Sequence, residues 1–138
     1  MSLRILVVED DPLMARIFRD VLRFAGHQVD WAATLDEAVG ALSSMPALLL
    51  VDIEIPGGGG AELLRRVRAD DRFAHVPLVA VTGHSAPEDH DRFLAMGFDE
   101  HAGKPLDVRA LPREVERWAR LRVPTPPPGV PSSAPPRR

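Results

Sequence analysis

Five short apolar runs of strand type, separated by stretches with helical periodicity, leave this chain few folds to choose from. The runs are residues 3–8, 29–33, 47–51, 76–81 and 98–103. The fifth is assigned by its place in the alternation more than by its composition. Near-continuous apolar strands belong to a parallel sheet covered by helices on both faces. Right-handed crossovers then restrict the topology, and the flavodoxin-like order 2-1-3-4-5 is one of two common solutions for a doubly wound (βα)5 three-layer sandwich. In that order strands 1 and 3 are neighbours, and ligands bind at the carboxyl ends of the strands.

The intervening segments carry helix signals. Leu13, Ile17, Val21 and Phe24 or Ala25 repeat at helical spacing, with Gly26 as a stop. Thr34 and Glu37 form a capping box ahead of Leu35, Ala38, Val39 and Leu42. Leu63, Leu64 and Val67 mark a third helix after the glycine run 57–60, which lacks the Lys-Ser/Thr of a P-loop and reads as a flexible loop. Pro87 opens a fourth helix running to Met96, and Gly97 closes it. Val108, Leu111, Val115 and Trp118 share a stripe on a fifth, where Pro112 implies a late start or a kink. Arg65, Arg66 and Arg68 read as one wet face of the third helix.

The polar residues at the strand ends carry the chemistry. Strand 1 ends in Glu9, Asp10 and Asp11, strand 3 in Asp52, strand 4 in Thr82 and strand 5 in Lys104. Among seventeen basic residues Lys104 is the single lysine, which suits a site needing a compact ammonium and not a planar fork. With adjacent strands about 4.8 Å apart, Asp10 and Asp52 converge on one volume, where like charges call for a cation. Hard oxygen donors open to water suit Mg²⁺. Mg²⁺, Lys104 and the Thr82 hydroxyl would together cradle a phosphoryl group. Asp52, alone at its strand end, is the nucleophile candidate, and Glu9 and Asp10 are left to hold metal. Any one of these residues alone would be read as a solvated loop residue; four strand ends carrying acid, acid, hydroxyl and lysine would not.

Segments 6–12 (LVVEDDP), 50–56 (LVDIEIP), 80–83 (AVTG) and Lys104-Pro105 fall in order along the chain. Together they resemble the four motifs of two-component response regulator receiver domains of the chemotaxis-regulator kind, over about residues 3–121. The resemblance implies that Asp52 accepts a phosphoryl group from a histidine kinase or phosphotransfer protein. Asp10 and Asp52 would bind Mg²⁺ directly, Glu9 mainly through water, and the Glu54 backbone carbonyl would supply a further ligand. Thr82 would be the switch hydroxyl, Lys104 would pair with the phosphoryl group, and the bond before Pro105 would be cis. His101 occupies the place of the aromatic switch residue, and rotating it would alter a face built from helix 4, strand 5 and helix 5. In such a domain Asp52 assists its own phosphotransfer and dephosphorylation without turning over a substrate. The Glu54 side chain, two residues past Asp52, is expected to alter the phosphoryl lifetime.

Composition narrows the remaining classes. A net charge of -3 gives no reason to expect direct nucleic-acid binding, and the absence of cysteine excludes disulfides, thiolate metal sites and thiol catalysis. With no signal peptide and no membrane-length apolar run, a cytoplasmic protein is expected. Residues 1–122 read as the receiver domain. Residues 123–138, with seven of the fourteen prolines, read as a disordered tail. His84 and His90, with Glu88 and Asp89, fit no standard metal spacing. The competing functions are a phosphorylation-independent interaction module and a small phosphohydrolase working through an aspartyl-phosphate. A downstream protein target and a phosphorylation-dependent homodimer are the further partners that such a switch implies.

Overall fold

The computed structural model describes residues 2–57, 59–83 and 87–122. The expectations for Gly58, for His84 and for a tail over 123–138 lie outside them. Strands β1 (Arg4–Val8), β2 (Gln28–Ala32), β3 (Leu48–Asp52), β4 (Leu78–Thr82) and β5 (Glu100–Gly103) alternate with α1 (Pro12–Phe24), α2 (Leu35–Ala41), α3 (Gly59–Arg68), α4 (Pro87–Met96) and α5 (Leu111–Trp118). All pairings are parallel, in the order β2-β1-β3-β4-β5. The doubly wound flavodoxin-like fold expected from the alternation is the one observed.

Period-2 alternation along each strand feeds two cores. Ile5, Val7, Leu48, Leu50, Val79 and Val81 face one way, onto Phe18 and Leu22 of α1 and Leu111, Val115 and Trp118 of α5. Leu6, Val8, Leu49, Val51, Leu78 and Ala80 face the other way, onto Leu35, Ala38, Leu63, Leu64, Val67 and Phe93. Every β3 and β4 residue is buried, as strands covered on both faces must be.

Four local expectations need correcting. The buried stripe of α1 is Ala15, Phe18 and Leu22, whereas Leu13 is 65% and Phe24 96% exposed. Two apolar stripes share this helix, and periodicity gives the repeat but not which stripe faces the sheet. Thr34 accepts from the Glu37 N–H as expected, but Glu37 reaches the N–H of Ala33, one residue outside the box. Pro112 stands in the first turn of α5, which starts late as expected, but Val108 lies ahead of the helix and off its stripe. Arg68 is not on a wet face: its guanidinium donates to Asp99 (2.7 Å) and to the carbonyls of Phe73 and Val76. Asp99 also accepts from the Leu78 N–H and from Arg122, tying the entrances of β4 and β5 together.

The glycine run is more than a loop, because α3 begins inside it. A Cβ on Gly60 would lie 2.9 Å from Val51 Cγ1, 3.0 Å from Ile53 Cα and 3.2 Å from the Asp52 carbonyl oxygen. The absence of a side chain lets the first turn of α3 press against the end of β3, where Asp52 sits. Gly40, exposed in α2, has nothing within 4 Å of its Cβ position. Gly60→Ala should therefore lower unfolding free energy by about 1–3 kcal/mol through overpacking. Gly40→Ala should raise it by roughly 0.5–1 kcal/mol through helix propensity. Urea denaturation of the two variants tests the opposite signs.

Candidate functional site

Strand ends build the site. β3 and β4 run one residue past their apolar runs, so Asp52 and Thr82 are themselves the last strand residues. Glu9 follows the end of β1, and Lys104 follows the end of β5. The β1–β3 register sets Val8 beside Val51, which puts Glu9 level with Asp52. The Lys104 N–H donates to the Thr82 carbonyl (2.8 Å), and the Lys104–Pro105 bond is cis.

A pocket of about 450 Å³ opens there, lined by Glu9, Asp10, Asp11, Asp52, Glu54, Gly83 and Lys104. Lys104 Nζ lies 3.0 Å from Glu9 Oε1 and 3.1 Å from Asp52 Oδ2. The Asp52 contact has hydrogen-bond geometry, whereas the Glu9 contact is an ion pair off the hydrogen-bond line. The other Asp52 oxygen, Oδ1, accepts from the Glu54 N–H at 3.0 Å. Glu9 Oε2 accepts from the Asp11 N–H at 3.2 Å. Both Asp52 oxygens are thus held, one by a backbone dipole and the other by an ammonium.

The charges do not balance. Glu9, Asp10 and Asp52 bring carboxylate oxygens within 4.8 Å of one another, the one such group among the described residues. Burial, then the hydrogen bond shared with Asp52, push the Glu9 carboxyl from its ordinary 4.5 up to about 7, against the pull of Lys104 and Asp11. Burial also pushes Asp52 up, but the Glu54 N–H, Glu9 and Lys104 outweigh it and leave Asp52 below its usual range. Lys104 is lowered by burial and raised more by its two carboxylate partners. Three hard oxygen donors, short of positive charge and open to water, fit a divalent cation of the Mg²⁺ kind.

Two expected residues stand outside this pocket. Thr82 is 1% exposed, and its neighbour Gly83 lines the pocket in its place. His101 is half-buried on β5, its ring 5.2 Å from Phe93 and 5.7 Å from His90. It lines a separate groove of about 490 Å³ with His90, Leu106, Leu111 and Trp118. His90 itself pairs with Glu100 at 3.5 Å. Two features escaped the sequence reading: the Glu54 N–H as a partner of Asp52, and Trp31, whose indole donates to the Glu9 carbonyl at 2.7 Å. Glu54 was singled out for its carbonyl and side chain, and nothing in the sequence distinguishes its N–H. Trp31 was legible in principle, since strand order 2-1-3 sets the end of β2 beside the end of β1.

A doubly wound sheet with clustered carboxylates and one lysine at its carboxyl edge defines a class of α/β signalling domain. The chain belongs to the response regulator receiver domain family, whose model matches residues 5–116. The polar-differentiation response regulator DivK of Brucella anthropi is 31% identical over 113 residues, 81% of this chain and 89% of the relative. A CheY-like response regulator receiver domain protein from Methanospirillum hungatei superposes with a TM-score of 0.76 at 28% identity, covering 86% of this chain and 94% of the other. The receiver domain of a Pseudomonas aeruginosa sensor histidine kinase does so with the same TM-score and identity, over 86% and 98% of the two chains. That domain has a magnesium ion coordinated in its active-site cleft. No helix among the described residues is long and apolar enough to cross a membrane.

The raised Glu9 carboxyl has a measurable consequence. The folded state holds this proton more tightly than the unfolded chain, so Glu9's contribution is complete below about pH 4.5 and is lost as pH rises to about 7. The loss is on the order of 3 kcal/mol at about 1.4 kcal/mol per unit. In EDTA, Glu9→Gln should therefore gain stability over the wild type between pH 5 and pH 8. Saturating Mg²⁺ should shrink that gain. Urea melts across this range check both statements.

Proposed function

We propose that the chain is a phosphorylation-activated signalling switch of a two-component phosphorelay. A histidine kinase or phosphotransfer protein supplies the phosphoryl group. An Asp52 carboxylate oxygen attacks phosphorus, the nitrogen–phosphorus bond of the phosphohistidine breaks, and the imidazole leaves with the electron pair. The observation that carries this reading is Asp52 itself: ionised, 6% exposed, and aimed by the Glu54 N–H and the Lys104 ammonium into an open pocket.

Mg²⁺, when bound, neutralises charge on the transferring oxygens. Asp10, Asp52 and the Glu54 carbonyl would hold it, and Glu9 would act mainly through water. Lys104 moves from Asp52 to the new phosphoryl group. Thr82, at the end of β4, follows it as the switch hydroxyl. His101, packed against Phe93 and His90 before the switch, then repacks and alters the groove between β5 and α5 that a partner would recognise. The Glu54 side chain, exposed at the pocket rim, acts on the phosphoryl lifetime. Residues 1–122 form this switch, working in the cytoplasm, and 123–138 a tail. The domain assists transfer to and hydrolysis from Asp52 but turns over no external substrate. Partner proteins are its targets, directly or through a phosphorylation-dependent homodimer.

Incubation with Mg²⁺ and acetyl phosphate should add one phosphoryl group at Asp52, read by intact-mass spectrometry, and Asp52→Ala should add none. An unmodified wild-type Asp52 would leave the phosphorylation-independent module as the better reading, and phosphomonoester turnover would favour a phosphohydrolase. Lys104→Arg should keep charge and fold yet lose the switch, because a guanidinium fork is wider than the slot between Glu9 and Asp52. With beryllium fluoride, amide resonances of α4, β5 and α5 should shift in the wild type and stay near their free positions in Lys104→Arg.

A further inference from the structure

We propose that Trp31 is a positioning residue for the acidic cluster: its indole N–H holds the Glu9–Asp10 peptide in the orientation that binds a divalent cation. This rests on the reading of that cluster as a Mg²⁺ site. Glu9 and Asp10 are adjacent candidate ligands with different duties, Glu9 buried and turned inward, Asp10 exposed. One planar peptide joins them, so fixing its carbonyl oxygen fixes how the two side chains diverge. The Glu9 N–H donates to the Ala32 carbonyl at 3.0 Å, and the Glu9 carbonyl accepts from Trp31 Nε1 at 2.7 Å. The last two residues of β2 thus take both backbone polar groups of Glu9.

The Trp31 indole is the part of this clamp that a side chain contributes. The ring is 43% exposed and lies beside Pro12, Ala15, Arg16 and Arg19 on the first turns of α1. An exposed ring filling that place could be any aromatic. The 2.7 Å bond to the peptide between two ligands needs a donor on that ring, which tryptophan has and phenylalanine lacks. The outer partners of metal ligands commonly set affinity by about 10–100-fold.

Trp118 supplies an internal control, because it is buried on α5 in the core it shares with α1 and does not line the acidic pocket. In ¹H–¹⁵N spectra of the full chain, Mg²⁺ should shift the Trp31 indole resonance with the same apparent affinity as the Asp10 amide. The Trp118 indole should stay in place. Trp31→Phe keeps a ring and removes the donor; it should keep a thermal midpoint near the wild type and bind Mg²⁺ about tenfold more weakly. Mg²⁺ binding by Trp31→Phe within twofold of the wild type would overturn the proposal. So would a Trp31 indole that ignores Mg²⁺ while the Asp10 amide responds, a result that stands even if the variant folds poorly. If neither the Asp10 nor the Asp52 amide of the wild type responds, the metal reading itself fails and takes this inference with it.

Discussion

One ammonium held between two buried carboxylates governs the site. Lys104 lies 3.0 Å from Glu9 and 3.1 Å from Asp52, in a pocket that also collects Asp10. Water would separate three such acids; the parallel sheet forces them together, because β1 and β3 are neighbours with their carboxyl ends aligned. A single cation cannot neutralise three carboxylates, and the imbalance falls on the buried Glu9 carboxyl, which is pushed up to about 7. Stability is given up there for a site that a divalent cation can enter. The rest of the fold supplies the stiffness to hold that arrangement.

That stiffness comes from strands buried on both faces and from close backbone contact at the strand ends. Gly60 brings the start of α3 within van der Waals contact of Val51, Asp52 and Ile53, so the Asp52 carboxylate rises from a backbone clamped on its far side. The Arg68–Asp99–Arg122 network does comparable work at the opposite end, where β4 and β5 begin. A charged network at the amino ends and a charged pocket at the carboxyl ends bracket two apolar cores. Only the second is left with an excess of negative charge that a metal cation could meet.

The alternation of apolar runs and helical stretches was enough to read the fold, because near-continuous strands and right-handed crossovers leave few arrangements. Glu9, Asp10, Asp52 and Lys104 were legible for the same reason: each ends or follows a run, and a parallel sheet sends those ends to one edge. The phase of α1 was not legible. Leu13, Ile17, Val21 and Phe24 repeat as well as Ala15, Phe18 and Leu22 do, and only the sheet beneath selects between them. Arg68 looked like its neighbours Arg65 and Arg66, which pair with Glu62 on the surface. Its partner Asp99 lies 31 positions away, a separation that no local pattern encodes.

The unequal burial of the two adjacent acids bears on how they divide their work. Glu9 is 2% exposed, accepts from the Asp11 N–H and faces Lys104, so its oxygens are already engaged. Asp10 is exposed and turned to the open side of the pocket, where an arriving hydrated ion meets it first. On the proposed reading, a cation of the Mg²⁺ kind would take the accessible carboxylate directly and reach the engaged one through a retained water. Peptide geometry maintains this division only while the Glu9 carbonyl is held away from the pocket, and the indole of Trp31 is the group placed to hold it.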